Sequence, residues 1–127
     1  MPYRFRKHYS IEEARALLPQ LREWLTELHQ LRRRLKQLDE RIGQMISGGN
    51  DVGGESVHTH VRLLSEFQRM LNEFKAREIQ IKDLERGLID FPSIMADREI
   101  FLCWEQDDED IEFWHELDTG YAGRERL

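Results

Sequence analysis

LHQLRRRLKQLDERIGQM, Leu28 to Met45, decides how this chain folds. Leu28, Leu31, Leu35, Leu38, Ile42 and Met45 step by three and four in alternation. On an α-helix that spacing lines one face, and sustained over heptads it makes the seam of a coiled coil. The intervening residues are mostly charged or amide side chains, so the remaining faces of the cylinder suit water. Leu21, Trp24 and Leu25 extend the stripe backwards. At 1.5 Å per residue, the helix from Leu21 to Ile46 spans about 40 Å.

Further towards the N-terminus, Ser10 and Glu13 match a capping box, which starts the helix at Ser10. Pro19 lacks an N–H and clashes with the preceding turn, so the pattern predicts a kink or short break near Leu18, with Pro19 opening the long helix. Ahead of it, Tyr3, Phe5 and Lys7 alternate with Arg4, Arg6 and His8, a basic and aromatic lead-in read as a strand.

Towards the C-terminus, Ser47 to Glu55 holds four glycines and reads as a flexible connector over 47–55. Ser56 then caps a second helix over 56–86. Val57, Leu64, Phe67, Leu71, Phe74 and Ile81 repeat the seam spacing, and Leu63 and Met70 widen it. Neither helix can bury its stripe alone, so the two form an antiparallel hairpin. After Gly87 the period falls to two. Ile100, Leu102 and Trp104 alternate with Phe101 and Cys103; Ile111, Phe113 and His115 alternate with Glu112 and Trp114. EQDDED, Glu105 to Asp110, reads as a turn between them. Two or three short antiparallel strands follow, apolar on both faces and therefore covered on both. The expected fold is α+β in a single domain over 1–127. It is a long antiparallel two-helix, coiled-coil-like hairpin with a small C-terminal antiparallel β-sheet and a tail over 87–127.

Composition narrows the function classes. The 127 residues carry a net charge of −6, with 35% charged residues. Residues 1–46 hold ten Lys and Arg against six Asp and Glu, and residues 97–127 hold three against eleven. The acidic end therefore suits docking on the basic helix, within one chain or between two. Global acidity disfavours a phosphate backbone as partner. Arg32, Arg33, Arg34 and Lys36 point to several sides of a helix, and zinc-finger, RNP and helix-turn-helix patterns are lacking. Nucleic acid is not an expected partner. No apolar run reaches the length of a membrane span, and the basic start has no apolar signal-peptide core. The single cysteine, Cys103, rules out an intramolecular disulfide and leaves the cytoplasm as the expected location.

Most tempting chemistry dissolves on inspection. His58 and His60 are two apart, which on a helix puts them on different sides instead of around one ion. The four connector glycines lack the Lys and Ser/Thr of a phosphate loop. Cys103 sits mid-strand without an adjacent base. What remains are the polar ends IKDLERGLIDFPSI and FWHELDTGYAGR, with Lys82, Asp83, Arg86, Asp90, His115, Glu116, Asp118 and Arg124. A ligand site would draw on Asp83, Arg86, Asp90, His115 and Arg124. Arg86, His115 and Arg124 suit an anion, and Asp90, His115 and Asp118 suit a divalent metal, with Asp83 as a further carboxylate. The other reading is a polar staple, in which aspartates pair with arginines and His115 is a satisfied, half-buried histidine. Beyond that divalent metal, no cofactor is implied.

YSIEEARALLPQLR (Tyr9–Arg22), KDLERGLIDFPS (Lys82–Ser93), FLCW (Phe101–Trp104) and FWHELDTGYAGR (Phe113–Arg124) together resemble the mostly bacterial family named domain of unknown function 2203. Some of its members carry the label division initiation protein. The resemblance spans the whole chain. It implies that the polar C-terminal motifs are a family feature, and it brings no activity with it. The leading expectation is a self-associating interaction or scaffold protein without catalytic chemistry, a homodimer through its hairpin and open to a protein partner. The alternative is a small-ligand, anion or metal-binding protein, or an enzyme, with its site around His115 and Asp90.

Overall fold

A computed structural model describes residues 2–51 and 53–127; Met1 of the lead-in and Val52 of the connector lie outside the described residues. The elements run α1 (Ile11–Ser47), α2 (Gly54–Ala76), β1 (Gln80–Asp83), β2 (Leu88–Met95), β3 (Arg98–Glu105), β4 (Phe113–Glu116), a 3-10 turn (Tyr121–Gly123) and β5 (Glu125–Arg126). The strands form one antiparallel meander in the order β1-β2-β3-β4-β5. The two helices pack against each other, and the fold is α+β.

The capping box at the start of α1 is formed: the Glu13 amide donates to Ser10 Oγ at 3.1 Å, and the Ser10 amide donates back to Glu13 Oε1 at 3.1 Å. Pro19 does not break the helix as its sequence position suggests; α1 is continuous from Ile11 to Ser47 with Pro19 inside it. Leu18 and Leu21, on either side, are held in the core, and this burial outweighs the proline penalty. Pro19 itself is exposed, where water can take the carbonyl left without its helical donor.

The second helix is shorter than its pattern suggests, ending at Ala76 instead of near Arg86. Glu78 adopts a left-handed conformation, φ 57°. The Glu78 amide donates to the Lys75 carbonyl and the Ile79 amide to the Phe74 carbonyl, both at 3.0 Å. This is the Schellman stop, with the usual hydrophobic contact between Ile79 and Phe74. Glycine normally fills the left-handed position, so a glutamate there gave no warning. Its carboxylate is also engaged, since Glu78 Oε1 accepts the Arg6 and Lys7 amides at 2.9 and 2.8 Å. At the other end, α2 starts at Gly54 and Gly53 caps it, without the Ser56 side-chain cap expected.

The apolar stripe of α2 is rotated from the expected one. Leu63, Met70 and Phe74 are buried, whereas Val57, Val61 and Leu64 are 50%, 56% and 46% exposed. On α1 the seam holds from Leu21 through Leu25, Leu28 and Leu31 to Leu35. His60 does not bind with His58; its Nε2 lies 2.7 Å from Asp39 Oδ1 across the hairpin.

Ile89, Phe91, Ile100, Leu102 and Trp104 alternate along β2 and β3 and share one core with Leu18, Leu21, Leu25, Leu28 and Phe74. The opposite face of the sheet carries Asp90, Cys103, Phe101 and His115. Phe5 packs on Phe101 there, ring centroids 5.4 Å apart. The lead-in is thus a cover and not the strand its alternation suggested. Its amides bond side chains: Arg4 and Phe5 donate to Glu99 at 2.7 and 2.9 Å. Among the described residues of the lead-in, only the Tyr9 amide reaches sheet backbone, donating to the Pro92 carbonyl at 2.7 Å. The acidic turn docks on α1: Arg15 pairs with Asp110 at 2.7 Å, and Arg22 donates to the Asp108 and Glu109 carbonyls.

Candidate functional site

The sheet register brings the site together. Asp90 of β2 stands opposite Cys103 of β3, and Phe101, two residues back on β3, stands opposite His115 of β4. Directly paired residues and those two apart share a face. Asp90 and His115 therefore reach each other diagonally over β3, with Cys103 beside both. His115 Nε2 lies 2.9 Å from Asp90 Oδ2, with side chains 1% and 2% exposed. The Asp90, Cys103 and His115 ligand atoms all lie within 4.8 Å of one another.

The proton arrangement follows from the partners. His115 Nδ1 is 2.7 Å from the Glu116 carbonyl, which can only accept, so Nδ1 carries a hydrogen. Nε2 and Asp90 Oδ2 then share one further hydrogen. Burial raises the Asp90 carboxyl above the usual carboxylate range, offset in part by the charge and hydrogen bond of His115, by Lys82 and by a hydrogen bond with the Cys103 thiol. Burial, with the negative field of Asp90, pushes the Cys103 thiol up to about 12. Asp90 Oδ1 is buried without a hydrogen-bond partner, a costly condition for a carboxylate oxygen. Both nitrogens of His115 are already engaged, Nδ1 by the Glu116 carbonyl and Nε2 by Asp90, so the ring does not serve the Cys103 thiol as a base.

The other expected site residues are distributed around this centre. Arg124 lies 4.1 Å from the Tyr121 ring and 4.0 Å from the Phe113 ring, sandwiched between them. Arg86 lies 4.5 Å over the Tyr121 ring and pairs with Glu105 at 2.6 Å. Lys82 lies 5.0 Å over the Phe101 ring. Neither Lys82 nor Arg124 makes an ion pair among the described residues. Asp83 closes the β1–β2 turn by accepting the Arg86 amide at 3.1 Å. Asp118, expected as a metal ligand, stands apart: it is 84% exposed and meets Arg4 at 3.2 Å. Glu116 pairs with Arg98 at 2.6 Å.

Staple and cluster therefore coexist. Asp83, Arg86, Glu116 and Asp118 fasten turns and termini. Asp90 and His115 are buried together, and the third member is Cys103. Sequence reasoning set Cys103 aside because no base neighbours it along the chain. The available signal was its phase: Cys103 and His115 fall on the same parity as Phe101 and Phe113 along strands that pair in succession.

The family model described as Uncharacterized conserved protein (DUF2203) matches residues 7–127. No curated protein and no solved structure matches the chain.

Proposed function

We propose, for a chain that belongs to the family Uncharacterized conserved protein (DUF2203), the role of a self-associating interaction module without catalytic chemistry of its own, its hairpin tip pairing with a second copy. The observation that carries this reading is the exposed stripe on α2. Val57, Val61 and Leu64 are spaced by four and three, so they lie on one helix face, and each is about half exposed. Beneath them the tip has little core: Leu31, Leu35 and Leu63, flanked by Leu38 and Phe67. A two-helix layer buries only one side of each helix, and a second hairpin laid on it completes a four-helix bundle. A twofold arrangement would set the same stripe against itself.

No helix among the described residues is long and apolar enough to cross a membrane. Cys103 is a free, buried thiol, which suits a reducing compartment such as the cytoplasm.

Mass measurement in solution tests the proposal. The expected result is a species of twice the 15.3 kDa chain mass, reduced to the single-chain mass by V61E with L64E while helical circular dichroism is unchanged. A wild-type protein that stays at the single-chain mass across the micromolar range overturns it.

A further inference from the structure

We infer that Asp90, Cys103 and His115 form a binding site for a divalent transition cation of the zinc class. The three side chains supply one oxygen, one sulfur and one nitrogen ligand. A thiolate with an imidazole and a carboxylate favours zinc or cobalt over the hard cations magnesium and calcium. Tetrahedral bonds of about 2.0–2.3 Å set ligand atoms roughly 3.3–3.8 Å apart. The Nε2 to Oδ2 separation of 2.9 Å and the outer limit of 4.8 Å bracket that spacing.

Three further observations point to a cation. Asp90 Oδ1 is buried without a hydrogen bond of good geometry, on a carboxylate whose neighbours are the His115 ring and the weak S–H donor of Cys103, so a cation would supply what it lacks. His115 is oriented as metal-binding histidines are, with Nδ1–H on the Glu116 carbonyl and Nε2 turned to Asp90. Charge balance suits the burial: a thiolate, a carboxylate and a divalent cation sum to zero, whereas isolated buried charge is expensive. Binding sends the thiol proton and the hydrogen shared by Asp90 and His115 to solvent. The fourth coordination position falls to water. This site lies on the sheet, away from the hairpin stripe, and is independent of self-association.

Cobalt is a suitable probe because Cys103 is the chain's single cysteine. Any thiolate-to-cobalt charge-transfer band in the near ultraviolet then reports this position alone. The full-length chain is unfolded in denaturant with chelator, then refolded with and without Co²⁺, which removes any barrier to entry. The expected result is a band that saturates at one ion per chain, is displaced by Zn²⁺, disappears in C103S and persists in D118N. A folded wild-type protein without the band overturns the inference, as does a folded C103S variant that keeps it. Should C103S fail to fold, the wild-type titration together with H115Q decides: loss of saturable binding in folded H115Q supports the site, and unchanged binding overturns it.

Discussion

Asp90 and His115 meet across a strand that lies between their own. His115 Nε2 and Asp90 Oδ2 are 2.9 Å apart over β3, and neither side chain is more than 2% exposed. The pair ties β2 to β4 through side chains, where the backbone ladder ties both to β3 and not to each other. Whatever it binds, this contact is also structural.

His115→Ala is therefore expected to destabilise the fold by about 3–5 kcal/mol, because it strands a buried carboxyl without its partner. Asp90→Asn should cost less, about 1–3 kcal/mol. With Nδ1–H held by the Glu116 carbonyl, Nε2 can accept a hydrogen from the asparagine amide. Urea unfolding of the two variants and the wild type checks the ranking. A His115→Ala variant as stable as the wild type would refute the structural role.

The lead-in hangs on Glu99. Its carboxylate accepts the Arg4 and Phe5 amides, and Nε2 of His8 lies 2.8 Å from Oε2. Burial raises the Glu99 pKa, but the hydrogen bonds from His8, Phe5 and Arg4 outweigh it and hold the group below its ordinary 4.5. A depressed folded value means the group stabilises the fold above the unfolded pKa and loses that contribution as pH falls through the folded one. Glu99→Gln should cost about 1–3 kcal/mol at neutral pH. The gap to wild type should narrow once the pH drops below that ordinary value of 4.5. Unfolding free energies of both proteins between neutral and acid pH measure it; a gap that does not vary with pH contradicts the account.

Gly87 closes the β1–β2 turn at φ +65°, and a Cβ there would stand 2.6 Å from Gln106 Cβ. Gly87→Ala should cost more than the roughly 1–2 kcal/mol of a left-handed alanine, because the crowding adds to it. Gln106→Gly in the same chain removes the crowding and leaves the backbone penalty. Thermal unfolding should show the double variant recovering part of the lost midpoint, beyond any effect of Gln106→Gly alone. No recovery would mean that the backbone angle alone sets the cost.

Much of this protein could be read from short-range pattern. The capping box at Ser10 and Glu13, the α1 seam and the change from helical to strand period are set by residues a few positions apart. Asp90 and His115 were legible as site candidates because they sit among the polar residues clustered where the second helix and the last strand were expected to end. Other features depend on distant parts of the chain. Pro19 stays within α1 because Leu18 and Leu21 are committed to a core shared with the sheet. The α2 helix ends at Ala76, ahead of Glu78, whose left-handed backbone is accompanied by bonds from the lead-in amides of Arg6 and Lys7. Cys103 joins Asp90 and His115 only through the register of three strands. Periodicity along a sequence determines which residues share a face of their own element. Which faces meet, and which side chains three strands place side by side, is decided by burial and register over tens of residues, and no local pattern encodes that.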